Sequence, residues 1–226
     1  VSTGPNPLAI ADHQLIEHLI TAVRTWHANR HAEVRDIETR SLAALIELVG
    51  LIERSNSLGE ASHTVANELQ RFLKCHRVSV AISSGGAVRL RAISGLPTFD
   101  ANSETARSFQ AASDETYVRR SFAAWPPLNP NAEHSLLALK RLAEMQNASA
   151  VVAVPLMQNQ DVVGTILVTG VRESLLEDST INLLRTSGPI LGSALGLAKR
   201  LDGNWLNRSI RRIIRSEEHT SELQSR

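Results

Sequence analysis

Ala150-Val-Val-Ala-Val-Pro-Leu156 and Gln160-Asp-Val-Val-Gly-Thr-Ile-Leu167 are two aliphatic runs on either side of a polar turn, and they decide how the 226-residue chain is read. Strands buried on both faces read as continuous apolar runs and not as an alternation. The first strand spans residues 149–156, with Pro155 near its end, and the second spans 162–168. A proline is tolerated where the ladder needs no further donor, which suits a strand end. The tetrad Gln158-Asn-Gln-Asp161 joins the two as a short hairpin connection.

A second hairpin lies upstream. Arg77-Val-Ser-Val-Ala-Ile82 and Val88-Arg-Leu-Arg-Ala-Ile93 alternate with period two, the spacing of a half-buried strand. Ser83-Ser84-Gly85-Gly86 turns the chain between them, glycine supplying positive φ, and Ser94-Gly95-Leu96-Pro97 ends the second strand.

Helical signals surround the hairpins. From Leu8 to Val49 there is no glycine or proline, and Ile16, Leu19, Val23, Trp26, Val34, Ile37, Leu45, Leu48 and Ile52 recur at helical spacing. A helix of that length, about 60 Å, with so narrow a stripe cannot bury itself along one small domain. A coiled coil or helical hairpin fits the pattern, and two separate helices on one core fit it as well. After Gly50 and Asn56-Ser57, residues Leu58 to Lys74 read as an amphipathic helix with Ala61, Val65, Leu69, Phe72 and Leu73 on one side. Residues 100–147 read as helical or irregular, interrupted by Ala123-Ala-Trp-Pro-Pro-Leu-Asn-Pro130, whose prolines impose an extended path. Glu177-Asp178-Ser179 caps a closing helix that runs to about Arg200. Gly188, Gly192 and Gly196 lie four apart on one face of it, open to a close neighbour, and Pro189 should kink it.

Composition removes several function classes. Hydrophobic residues make up 42% and charged residues 21%, which is globular. The 24 basic residues against 23 acidic ones give no whole-chain attraction to nucleic acid, and the four strands read above carry no aromatic ring for a base to stack on. A lone cysteine, Cys75, excludes an internal disulfide framework and a multi-thiolate zinc site. His27 and His31 have the i, i+4 spacing of a metal pair but no third ligand nearby, so a solvated helix face is the better reading and no metal is assigned. No apolar run reaches the about 18 residues of a membrane span. There is no nucleophile elbow, P-loop or dinucleotide fingerprint, and no cofactor or enzymatic activity is assigned.

The order of elements, together with the Val154-Pro155-Leu156 strand end, the polar turn and the Val163-Gly164 strand, resembles a GAF domain over Leu58 to Arg200. The resemblance implies an α+β fold. An antiparallel sheet of five or six strands would carry the terminal helices on one face and a ligand pocket on the other, under a lid spanning Phe99 to Leu142. It implies ligand-binding roles for Phe99, Tyr117, Phe122 and Trp125; the pair Arg119-Arg120 could orient an anionic ligand there or simply be solvated on its helix. The alternative is that these rings only fill the space beneath the lid. Departures from the family matter too: no lid cysteine for a bilin, no cysteine pair for sulfoxide reduction, and no Asn-Lys-x-Phe-Asp signature for cyclic nucleotides. The ligand stays unassigned.

The domain reading is therefore 1–57 as an N-terminal helical or coiled-coil segment, 58–200 as the GAF-like domain and 201–214 as a basic amphipathic linker. The last segment, 215–226, resembles a translated sequencing adapter and is set aside, and the expectation is a natural chain that continues past Ile214. Within 201–214, Trp205, Arg208, Arg211 and Arg212 suit either a continuing helix or a membrane-proximal flank. Ala124-Trp125-Pro126-Pro127 followed by that flank also resembles HlyD-type membrane-fusion adaptors. The expectation is a cytoplasmic, non-enzymatic sensory module, homodimeric through its N-terminal and closing helices, with membrane contact only through a C-terminal region past residue 214. The alternative is a ligand-free dimerisation unit of a membrane-anchored adaptor.

Overall fold

A computed structural model describes residues 39–128 and 136–223, with side chains to residue 202. The N-terminal stripe before residue 39 and the His27/His31 pair lie outside the described residues.

Among the described residues two elements precede the sheet, helix α1 over 39–54 and helix α2 at Leu58–Leu73. Ser57 starts α2 by accepting the Glu60 N–H at 3.1 Å, while the Glu60 carboxylate reaches back to the Asn56 N–H at 2.8 Å. This is a shifted form of the capping box, satisfying backbone donors the helix leaves over. Ala61, Val65 and Leu69 are buried as their spacing requires, but Phe72 is 44% exposed. It stands beside Leu48 and Leu51 of α1 at a small apolar pocket and not in the core.

Strands β1 (Arg77–Ser84) and β2 (Ala87–Ile93) pair antiparallel around Gly85 and Gly86, both at positive φ. Both strands run further than the alternation predicts, so the turn shrinks to the two glycines. Helix α3 (Glu104–Arg119), strand β3 (Ala123–Trp125) and helix α4 (Leu137–Met145) come next. Strands β4 (Ala150–Gln158) and β5 (Asp161–Gly170) then form the aliphatic hairpin, with Asn159 and Gln160 in left-handed conformation at its tip. A short α5 (Arg172–Leu175) leads to α6, one helix from Asp178 to Leu223. Its backbone therefore continues well past the Arg200 end expected from sequence.

The sheet is five-stranded and wholly antiparallel in the order β2-β1-β5-β4-β3, so the α+β expectation holds. Strand β3 is the element sequence reading missed. Three residues, closed by three prolines in the next five and a cis Trp125–Pro126 bond, are too short for a periodicity to show. Trp125 thus sits on an edge strand, an exception to the ring-free sheet expected.

The sheet separates two apolar layers. Val78, Val80, Val152, Val154, Leu156, Ile166 and Val168 face Leu45, Leu48 and Ile52 of α1, Val65 and Leu69 of α2, and Leu184, Leu191 and Leu195 of α6. The alternate residues Val151, Ala153 and Leu167, with Ile93, face Phe109 of α3 and Leu139 and Leu142 of α4. Strand side chains alternate between faces, so β4 and β5 contribute to both layers at once.

Candidate functional site

The lid side of the sheet is the candidate site. Ser103 caps α3 by accepting the Ala106 N–H at 3.2 Å. The underside of the helix is Ala106, Ser108, Phe109, Ala112, Ser113 and Thr116, small residues around one large ring. Polar contacts hold its edges. The Gln110 side-chain amide donates to Val88 O at 2.9 Å and accepts from Leu90 N–H at 2.9 Å, occupying the free edge of β2. The Arg120 guanidinium donates to Gln160 O at 2.7 Å, at the tip of the β4–β5 hairpin.

Glu115 has a distinct job. The residue at the N-cap of α4 is Leu136, whose side chain makes no capping hydrogen bond. The Glu115 carboxylate accepts the Ala138 N–H at 2.7 Å, capping α4 from a neighbouring helix. Loss of a cap costs about 1 kcal/mol. Glu115→Ala should lower the urea-unfolding free energy by about that much, and an unchanged midpoint would refute the capping role.

Three hydroxyls distinguish this interface. Ser79, Ser113 and Thr165 are buried at 0% exposure, and none of their hydroxyl oxygens has a hydrogen-bond partner among the described residues. Ser79 alternates with Val78 and Val80, so it points to the lid side. Ala81 pairs with Thr165 and Ser79 with Leu167, which makes Ser79 and Thr165 diagonal neighbours on one face. Ser113 lies one turn from Phe109 on the underside of α3. A buried hydroxyl left unpaired costs about 1–3 kcal/mol, so three of them under one helix mark a polar seam. The sequence contained a signal. Small polar residues inside a strand read as its solvent face, and here that face is covered.

The residues proposed from sequence do not gather. Phe99 and Trp125 pack against the lid-side layer with Phe109, and Lys140 lies 5.4 Å from the Trp125 ring centroid. Phe122 packs on the opposite layer, with the Arg185 guanidinium 4.6 Å from its ring centroid. This corrects its placement under the lid: it enters β3 three residues ahead of Trp125, and alternation along the extended chain gives it the other face. Tyr117 is half-buried on α3 and outside both apolar clusters. Arg119 ends α3, its guanidinium 3.9 Å from the Glu115 carboxylate. None of these five is a lining residue of the pockets at α1–α2, at α3–α4, at α1–α6 or beside His76. The side chains of Trp205, Arg208, Arg211 and Arg212 lie outside the described residues, on the helical backbone of α6. Among the described residues no group of histidine, cysteine and carboxylate side chains could hold a metal.

The GAF domain family model matches residues 57–195. The chain belongs to the GAF domain family. Solved structures with the same fold include the GAF domain of an Acinetobacter phosphoenolpyruvate-protein phosphotransferase. It is 16% identical, with 73% of this chain and 98% of that one covered and a TM-score of 0.53. The A. aeolicus nlh2 GAF domain in an inactive state is 13% identical over 73% of this chain and 98% of that one, at a TM-score of 0.52. The chromophore-binding domain of a bacteriophytochrome from R. palustris is 14% identical over 73% and 63%, at a TM-score of 0.50. At those identities the likeness shows the fold alone. No curated protein sequence matches the chain. GAF domains are sensory and regulatory modules of signalling proteins, and in general not catalytic.

In this GAF domain the cysteine sits away from the lid, between α2 and β1. Burial pushes the Cys75 thiol up to about 11, against a smaller opposing effect from a backbone hydrogen bond. Alkylation at pH 8 should be far slower than for a free thiol and should climb toward pH 11. A thiol whose pKa folding raises contributes stability below its unfolded value. That contribution fades as pH rises through the folded value, so stability should fall between about pH 9 and 11 in the native protein and not in Cys75→Ser. Rapid alkylation at neutral pH would contradict this.

Proposed function

We propose that the chain is a non-enzymatic regulatory module that takes a small ligand or partner on its lid side and passes the change to α6, and through α6 to a C-terminal output domain. One observation carries the relay: at Gly188 and Gly192, α6 meets the backbone of β4 directly. A Cβ at Gly188 would fall 2.7 Å from Pro155 O, and one at Gly192 2.9 Å from Leu156 C. Strand β4 presents Val152, Val154 and Leu156 to α6 and Val151 and Ala153 to the lid side. At Gly188 and Gly192 a shift of β4 forced from the lid side would reach α6 through direct backbone contact, beside the packing of Leu184, Leu191 and Leu195 on the same strand. The unpaired hydroxyls of Ser79, Ser113 and Thr165 are the polar groups a ligand would satisfy there.

In this reading the module works as a homodimer. Between α1 and α6 runs a groove of about 1020 Å³ lined by Val49, Ile52, Ile190, Ala194, Leu197 and Leu201 among others, with Leu197 51% and Leu201 56% exposed. Apolar helix faces left open in this way suit a second helix pair. Leu197→Glu with Leu201→Glu should convert a dimer to a monomer by light scattering without changing the circular dichroism. A wild-type chain that is monomeric at high micromolar concentration would defeat the dimer.

A second reading, a ligand-free dimerisation unit, is favoured by the packing beneath the lid, where Phe109, Leu139, Leu142, Ile93 and Leu167 are all fully buried. Native mass spectrometry separates the two, since a retained small molecule supports the sensory module. In the adaptor version of the second reading Trp205, Arg208, Arg211 and Arg212 would lie against a membrane, and sedimentation with anionic vesicles tests that. Among the described residues no helix is long and apolar enough to cross a membrane.

A further inference from the structure

The outer groove between α3 and α4 faces away from the sheet and takes no part in the relay described above. It encloses about 520 Å³ and is lined by Glu104, Arg107, Ser108 and Ala111 of α3 and Leu137, Ala138, Arg141 and Met145 of α4. That volume falls within the about 300–1,000 Å³ of small-molecule sites.

Its chemistry is divided. Ala111, Ala138, Leu137 and Met145 make an apolar floor and wall, with Leu137 70% exposed. A large aliphatic side chain left that open is a candidate contact surface. Arg107 and Arg141 rise from the two helices on either side, and neither guanidinium has a hydrogen bond or ion pair among the described residues. The other cations nearby are committed, Lys140 to Trp125 and Arg120 to the β4–β5 tip. Ser108 is also committed, its hydroxyl donating to Thr105 O at 2.7 Å. Glu104 supplies the one carboxylate of the lining, so two cations and one anion leave the groove with a surplus of one positive charge.

We propose that this groove binds a small amphiphilic carboxylate, a monoanion with an aliphatic tail. The tail would lie on Ala111, Leu137, Ala138 and Met145, and the carboxylate between Arg107 and Arg141. Guanidinium groups suit a carboxylate because their planar donors match its two oxygens. The single surplus charge balances a monoanion, and Glu104 opposes the further charge of a phosphate dianion. An uncharged tail of the same length would leave both guanidiniums unmatched.

Titration of the full chain with octanoate, followed by calorimetry and by amide NMR shifts, tests the proposal, with 1-octanol and inorganic phosphate as comparison probes. Octanoate should bind saturably and shift amides of α3 and α4, with octanol at least tenfold weaker. Arg107→Ala with Arg141→Ala should weaken octanoate at least tenfold. Ala111→Leu, which fills the floor and leaves both arginines, should do the same. All three positions are exposed, and unchanged thermal melts would show that the variants fold. Octanol binding as well as octanoate, phosphate displacing octanoate at equal concentration, or either variant binding like the wild type would overturn the proposal.

Discussion

Gly192→Ala is expected to destabilise the protein by about 3 kcal/mol, although alanine is the better helix former by about 1 kcal/mol. The added Cβ would meet Met157 O and lie 2.9 Å from Leu156 C, all backbone of β4. Strand backbone cannot move aside as a side-chain tip can. Relief requires α6 to lift, and that uncovers Leu191 and Leu195, which are fully buried. Gly50→Ala supplies the opposite case in the same protein. Its Cβ would meet only Arg54 Nη2 at 3.6 Å, and it lies inside α1. There the propensity gain stands alone, and a rise of about 0.5–1 kcal/mol is expected. Urea unfolding of both variants checks the pair. A Gly192→Ala variant as stable as the wild type or more so would mean that α6 does not rest on the β4 backbone there.

Phe109→Ala should cost about 3–5 kcal/mol, a large share of the about 5–15 kcal/mol that holds a domain folded. Phe109 is 0% exposed and is the large ring at the centre of the lid-side layer. Its neighbourhood sets where in that range the value falls. Ser113 is one turn away on the same helix face, and its hydroxyl is unpaired. A cavity beside unpaired hydroxyls can admit water, whereas an apolar one stays empty. The loss should therefore sit near the lower end, about 3 kcal/mol. Chemical denaturation measures it, and a loss below about 1 kcal/mol would show that the lid side is not a packed core.

Those two positions differ in how far sequence revealed them. The glycine stripe of α6 was legible because a four-residue repeat of glycine in a helix has one plain use, close approach, and only the partner strand was hidden. The aliphatic β4–β5 hairpin was legible for the same reason, since residues such as Val151-Val152 and Ile166-Leu167 admit no solvent face. The site was far less so. Aromatic content pointed to Phe122 and Trp125 together, yet β3 is three residues long, and alternation through it sends the two rings to opposite sides of the sheet. Ser79 read as the polar half of an alternating strand, and Thr165 carried no separate signal in its aliphatic run. Only the covering helix, which no periodicity in β1 announces, makes them buried and unpaired. The capping of α4 by Glu115 was equally out of reach, because donor and acceptor lie 23 residues apart on different helices.

The claim that the lid side speaks to α6 through β4 is tested most directly by hydrogen–deuterium exchange on Ser113→Leu. The substitution overfills the seam beneath α3 without touching α6. The account predicts altered exchange in α6 around residues 188–196, where its glycines lie on β4, and a smaller change in α2. Altered exchange confined to α3 and α4, with α6 as in the wild type, would contradict it.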